Sequence, residues 1–270
     1  MNSNITEKKY KKLSIQVDLN GLSFCCFDTL NDTIISFNEV RFDSFHKATK
    51  TEELFADAFS DYPELKESYD EILVIHNSNL STFVPEPLFD ENFLGSYLQY
   101  NTKVFETDFF AFDAIAPFDI NNVYVPFMNI NNFLLDQFES FDYKNSNSIL
   151  VRKCMEFSKN KEEKQVFVHI QKENFEIIVV KNQELLLFNS FQYATPEDFI
   201  YFLIFTCEQL QLNPETISVQ LMGNCTEGDK LFKMAYKYIR NCSLYNAAHL
   251  SAGFDVSETE IRKHFILYHS

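Results

Sequence analysis

The sequence predicts an α/β protein of two similar halves, each built on a mixed five-stranded sheet with flanking helices. Three observations carry that reading. Residues Gln165 to Phe191 hold three short apolar runs, Val166 to Ile170, Phe175 to Val180 and Leu185 to Phe188, parted by polar turns, which is the pattern of an antiparallel meander. Leu13 to Phe42 repeats it, with turns at Asn20-Gly21 and Asn31-Asp32, at an offset of 166 − 13 = 153 residues. After each meander a helical apolar stripe precedes a short apolar run. Three antiparallel strands are thus extended by helix-crossed parallel ones, and the right-handed crossover rule leaves few ways to assemble them.

In the first half, Leu13 to Asp18, Leu22 to Asp28 and Thr33 to Phe42 are the meander strands. Asn20-Gly21 suits a hairpin because both residues tolerate positive φ. Thr51 to Ser60 opens with Thr and two acids and sets Leu54, Phe55, Ala58 and Phe59 at helical spacing. Glu71 to His76 reads as a strand buried on both faces. Thr82 to Val84 is a strand fragment ending at Pro85 and Pro87, Glu91 to Tyr100 a helix, and Thr102 to Met128 strand-like, with Pro117 and Pro126 at ends or edges. Asn131 to Phe141 is a helical stripe, Tyr143 to Ser148 a linker by composition, and Ile149 to Ser158 a helix leading to the second meander. In the second half, Thr195-Pro196-Glu197-Asp198 starts a helix that buries Phe199, Phe202, Leu203, Thr206 and Leu210. Thr216 to Met222 is a strand, Gly223 to Gly228 a loop, Asp229 to Arg240 an amphipathic helix and Ser243 to Tyr245 a short strand. A mixed tail follows, with a last apolar stretch at Phe265 to Tyr268. The expected boundaries are a polar leader over 1–12, a first domain over 13–148 with an insertion near 82–128, a linking helix over 149–164 and a second domain over 165–270.

Composition narrows the function classes. With 46% hydrophobic residues and 30 Phe against no Trp, both halves can bury a core of their own. The net charge of −16 argues against a nucleic-acid partner, whose phosphates are neutralised by Lys and Arg, and against an anionic membrane surface. No run approaches the ~18 apolar residues of a spanning helix, and the N-terminus lacks the apolar core of a secretory signal, so no membrane insertion and a cytoplasmic location are expected. The six cysteines, scattered mostly inside apolar runs, read as reduced core residues.

The element order, together with the VDLNG turn ending at Gly21 and the SFNEVRF strand ending at Phe42, resembles a family of uncharacterised bacterial proteins, a domain of unknown function with a duplicated actin-like ATPase fold. That resemblance implies two tandem ribonuclease-H-like domains around a nucleotide cleft. It also implies that ATP and Mg²⁺ would be held by an Asp-x-Gly turn with Thr or Ser in the first domain, an equivalent turn in the second, and a double-glycine turn for the nucleoside. The matching positions are Asp18, Asn20 and Gly21, with Ser23 following, and Gly223 with Asn224. Glycine stands one residue late in the first turn, and the second-domain turn, Gln171 to Asn174, has neither Asp nor Gly. Average usage predicts about 19 glycines in a chain of this length, and there are 5, although close backbone approach to phosphate needs them.

Each candidate has a plainer alternative. Asp18 as a metal-binding carboxylate competes with a turn Asp that accepts local backbone hydrogen bonds. Cys25 and Cys26 point to opposite faces of a strand and cannot share a metal. No zinc-type ligand spacing, P-loop or nucleophile elbow is present, so no catalytic or metal residue is named. His169, on the leading strand of the second meander, is the histidine nearest the implied cleft, and an ordinary hydrogen bond is its simpler role. Phe109, Phe110 and Phe112 belong to core packing or to a partner-binding edge, and Phe175 and Leu22 are expected to fill the implied cleft. The sequence favours a non-hydrolysing scaffold or regulatory module that binds a protein partner and carries no cofactor. The alternative is a divergent ATP-dependent phosphotransferase or ATPase using Asp18 and the Gly223-Asn224 turn. A metal-dependent nuclease would need a carboxylate cluster.

Overall fold

A computed structural model describes residues 8–42, 50–105, 107–248 and 256–270. Residues 1–7 of the expected leader lie outside the described residues. The chain divides into two compact units, one over residues 1–114, 121–147 and 270, the other over 115–120 and 148–269.

The first unit opens on β1 (Lys11–Asp18), β2 (Gly21–Asp28) and β3 (Thr33–Arg41), then α1 (Thr51–Asp61) and β4 (Glu71–His76). An insertion follows, with β5 (Ser81–Pro85), the short α2 (Leu94–Leu98), β6 (Ala111–Ala114) and β7 (Ile120–Tyr124). It closes with α3 (Met128–Gln137) and β8 (Asp142–Asn145). The main sheet runs β3-β2-β1-β4-β8, antiparallel across the meander and parallel from β1 through β4 to β8. Alternation splits the strands between two faces. Leu13, Ile15, Val17, Leu22, Phe24 and Cys26 share one core with Phe55 and Phe59 of α1 and Ile130 and Leu134 of α3. Cys25 takes the opposite face and is buried all the same. The insertion forms its own sheet, β5-β7-β6, around Val84, Leu98 and Val123.

The second unit takes α4 (Ser146–Phe157) from its third residue onward, then β9 (Gln165–Ile170), β10 (Asn174–Lys181) and β11 (Glu184–Gln192). It continues through α5 (Pro196–Gln209), β12 (Ser218–Gly223), α6 (Lys230–Tyr238), β13 (Asn241–Leu244), α7 (Glu258–Lys263) and α8 (Phe265–Tyr268). Its sheet order, β11-β10-β9-β12-β13, matches the first. So does its register. Val17 pairs with Leu22 as Ile170 pairs with Phe175, and the β-bulge between Cys26 and Phe27 recurs between Val179 and Val180, again 179 − 26 = 153 residues on. Phe199 and Leu203 of α5 and Ala235 of α6, with Ile239 just after it, enter one core with alternate residues of β9, β10 and β12, so both helices cover the same face.

Several sequence expectations need correction. Tyr143 to Ser148 is not a linker: it forms the fifth strand of the first sheet and the first turn of α4, with Asn145 fully buried. Its asparagines look like loop composition but are spent on long-range hydrogen bonds. Glu91 to Tyr100 is a 3₁₀ turn followed by only five α-helical residues, and among the described residues of Thr102 to Met128 only β6 and β7 are strands. Gly95 sits under the ring of Phe110, where a Cβ would come within 2.9 Å, so this piece is shaped by aromatic packing rather than by a periodic pattern. Phe175 and Leu22 fill no cleft; each enters the helix-covered core of its own unit, Phe175 edge-on to Phe199 at 4.9 Å. Phe110 and Phe112 pack into the insertion, whereas Phe109 is half exposed, as opposite-facing neighbours must be.

Candidate functional site

In α/β sheets ligands collect beyond the carboxyl ends of parallel strands. In the first unit those ends are Asp18 of β1, His76 of β4 and Asn145 of β8. Asp18 accepts the Asn20 N–H at 2.6 Å, and further bonds come from the Gly21 N–H and the Asn77 side chain. Burial pushes its carboxyl above the ordinary range, and these donors with the nearby Arg41 only partly offset that. Gly21 has a structural duty: a Cβ there would lie 2.2 Å from the Val40 carbonyl oxygen on β3. Sequence reading thus placed Asp18, Asn20 and Gly21 correctly in one turn, whose donors are turned onto Asp18 itself.

Beside this turn lies a buried amide network that sequence reading missed. Asn145 donates its backbone N–H to Asp113 Oδ2 at 2.8 Å and its Nδ2 to the Ser78 carbonyl at 3.1 Å. Its Oδ1 accepts from Asn122 Nδ2 at 3.2 Å and from the Asn147 N–H at 2.9 Å. Tyr124 donates its hydroxyl to Asp113 Oδ1 at 3.1 Å, and burial with the Asp113 charge drives the phenol pKa upward. His76 is wholly buried; its Nδ1 accepts the Phe127 N–H at 3.1 Å, which leaves Nε2–H to donate to Asn131 Oδ1 at 3.0 Å. Burial lowers its pKa to about 4, opposed by the Asn131 bond. The signal for this network was available only as polar residues closing apolar strands.

In the second unit, the turn equivalent by register is closed by a buried carboxylate. Glu176 has no exposed surface and accepts from His169 Nδ1 at 2.9 Å, Asn174 Nδ2 at 2.6 Å, and Gln171 Nε2 and Ser190 Oγ at 3.3 Å each. Glu176 stands 153 residues after Ser23, the hydroxyl of the first turn, and His169 stands opposite it. His169 thus makes a buried hydrogen bond to the Glu176 carboxylate, the simpler of the two roles expected of it. Gly223 ends β12 at φ +83°, and a Cβ would meet the Ile170 carbonyl oxygen at 2.2 Å. The Asn224 N–H donates to that same oxygen at 2.7 Å. Both residues thus serve the join between β12 and β9.

The loop beyond carries a cavity of about 700 Å³ whose lining includes Thr226, Phe232, Tyr236, Tyr245, Glu258 and Arg262. The Arg262 guanidinium is buried and bonds Thr259 Oγ1 at 3.2 Å, the Tyr245 carbonyl at 3.4 Å and Glu258 Oε2 at 3.5 Å, while among the described residues its Nε meets no acceptor. Among the described residues, no three His, Cys, Asp or Glu side chains are grouped to hold a metal ion. All six cysteines are buried thiols; burial raises Cys207 and Cys242 to about 11 and Cys225 to about 12, so these three are not ready nucleophiles. No helix of the described residues is long and apolar enough to cross a membrane.

A meander extended by two helix-crossed parallel strands, present in both units, is a mixed α/β arrangement similar to the actin-like ATPase fold. A crystal structure from Bacteroides thetaiotaomicron VPI-5482, of a protein with that fold and unknown function, matches with a TM-score of 0.80 at 22% identity over 91% of this chain and 94% of that one. The chain belongs to the family described as "Protein of unknown function (DUF3822)", which matches residues 1–242. A PilM–PilN type IV pilus biogenesis complex matches with a TM-score of 0.62 at 11% identity over 95% and 96% of the two chains. At such identities the likeness is one of fold. No curated protein matches the sequence.

Proposed function

We propose that this chain is a non-hydrolysing scaffold or regulatory module of the cytoplasm, two tandem ribonuclease-H-like domains whose nucleotide site has degenerated and which act by binding another protein. The observation that carries the proposal is Glu176. A phosphate needs free N–H donors and positive potential, and here a fully buried carboxylate takes the side-chain donors of the second turn. In the first turn the backbone donors are spent on Asp18. These residues do not suit a polyphosphate with Mg²⁺. Exposed Leu88, Phe93, Tyr100, Phe105 and Phe109 on the insertion favour a protein partner, as does the acidic balance of the chain for one with basic character. A protein complex is also what the PilM–PilN name describes for that relative in fold.

A second reading, an ATP-dependent phosphotransferase or ATPase that uses Asp18, Asn20, Gly21, Gly223 and Asn224, draws on one feature. The cavity at Thr226 and Arg262 has the size of a small-molecule site and combines aromatic walls with a buried cation. Phosphate release from ATP and Mg²⁺ separates the two. The scaffold reading expects no release above the uncatalysed rate; turnover that Asp18→Ala abolishes would establish the second reading instead.

A further inference from the structure

Helix α5 is apolar on nearly every side. Phe199 to Phe205 is an unbroken apolar run, and only Phe199, Leu203 and Cys207 sink fully into the core. On the outer face Tyr201 is 62% and Phe205 43% exposed, their rings stacked at 6.1 Å and 14°. A helix that is apolar all round is one that is covered all round. The first unit supplies the comparison: α1, which follows its own meander in the same order, presents Glu53, Ala56, Asp57 and Ser60 to solvent. The fold therefore does not call for aromatic side chains there.

Helix α6 packs beside α5 and exposes Tyr236 at 61% and Tyr238 at 50%. The charges on the two helices are opposite. Along α5, Glu197, Tyr201, Phe205 and Glu208 form one exposed stripe at helical spacing, and the helix has no base. Along α6, Lys230, Lys233 and Lys237 are exposed and there is no acid. Among the described residues, Lys233 reaches the Gly228 carbonyl alone, and Lys237 the ring of the adjacent Tyr238. In a chain with 39 acids and 23 bases, this is a place where bases gather next to acids and aromatics. Such a face complements itself when turned about a two-fold axis, because each helix then meets the other kind. Setting α5 against α5 would bring acids to acids.

We propose that the α5–α6 face is an interface between two copies of this chain, α5 of each lying on α6 of the other. Glu197 and Glu208 face Lys233 and Lys237 across it, and Tyr201 and Phe205 pack on Tyr236, which shares the face of those lysines. This is independent of whether nucleotide or another protein binds elsewhere.

Sedimentation velocity on the full chain tests it, carried to about 100 μM because a face of two short helices is at the small end of specific interfaces. Two double variants of exposed side chains are compared, Glu197→Lys/Glu208→Lys and Lys233→Glu/Lys237→Glu, each first shown by circular dichroism to fold as wild type does. Wild type should dimerise with concentration, and each variant alone should associate at least tenfold more weakly. An equimolar mixture of the two should recover the dimer, since the reversed α5 then meets the reversed α6 at one contact and the two unchanged helices meet at the other. A wild type that stays monomeric overturns the proposal and leaves the face to a different protein. A dimer indifferent to both variants, or a mixture that fails to recover, overturns it as well.

Discussion

At the residue scale, the two glycines that sequence reading assigned to nucleotide have structural work of their own. Gly223 combines φ +83° with a backbone oxygen 2.2 Å from where a Cβ would be. Gly223→Ala should therefore destabilise the second unit by about 3 kcal/mol, from positive-φ strain plus the clash, as measured by urea unfolding. A loss of nucleotide binding in such a variant would mean nothing by itself, and Asp18→Ala or Asn224→Ala is the cleaner probe. His76 sets a pH dependence. Its folded pKa of about 4 lies below the ordinary 6.5, so between those values the unfolded chain holds a proton that the folded chain does not. The contribution is complete above pH 6.5 and is lost as pH falls towards 4, by up to about 3 kcal/mol. Protonation would turn Nδ1 into a donor facing the Phe127 N–H. Unfolding curves from pH 7 to 4 should steepen in this way for wild type and flatten for His76→Gln.

At the scale of elements, periodicity and cap chemistry were legible, and side-chain networks were not. Helix α5 was readable from Thr195-Pro196-Glu197-Asp198, and it has the capping box those residues promise: Thr195 Oγ1 accepts the Asp198 N–H at 3.2 Å and Asp198 Oδ2 accepts the Thr195 N–H at 2.9 Å. Thr195→Ala should cost about 1 kcal/mol, read as a lower urea midpoint at unchanged slope. Strand β8 was illegible because its four residues carry almost no apolar pattern; Asn145 belongs there through bonds to Asp113, Ser78 and Asn122, all distant in sequence. The insertion failed for a related reason. Its Phe-rich stretch reads as strand throughout, whereas Phe112 alone of Phe109, Phe110 and Phe112 joins a ladder, Phe110 being held by packing in the insertion.

At the scale of the molecule, the duplicated mixed five-stranded sheet was legible, though not its strand order, because a 153-residue offset preserves pairing register down to the position of a β-bulge, and register is written in apolar alternation. The candidate site was half legible. Asp18, Asn20 and Gly21 could be found from a turn signature, but Glu176 reads as one charged residue inside a strand, and only the fold shows it drawing in His169, Gln171, Asn174 and Ser190. The missing Asp and Gly at Gln171 to Asn174 pointed the same way without giving the cause. The proposal as a whole is that Asp18 and Glu176 take up donors by which the two turns would otherwise hold a polyphosphate.

Thermal denaturation of the wild-type chain against ATP with Mg²⁺, from micromolar to several millimolar, tests that claim most directly, because a ligand of the folded state adds about 2.7 kcal/mol at a hundred times its Kd. With both turns filled in this way, the melting temperature should not move with ATP. A saturable rise that Asp18→Ala removes would contradict it and turn attention to the cavity at Arg262.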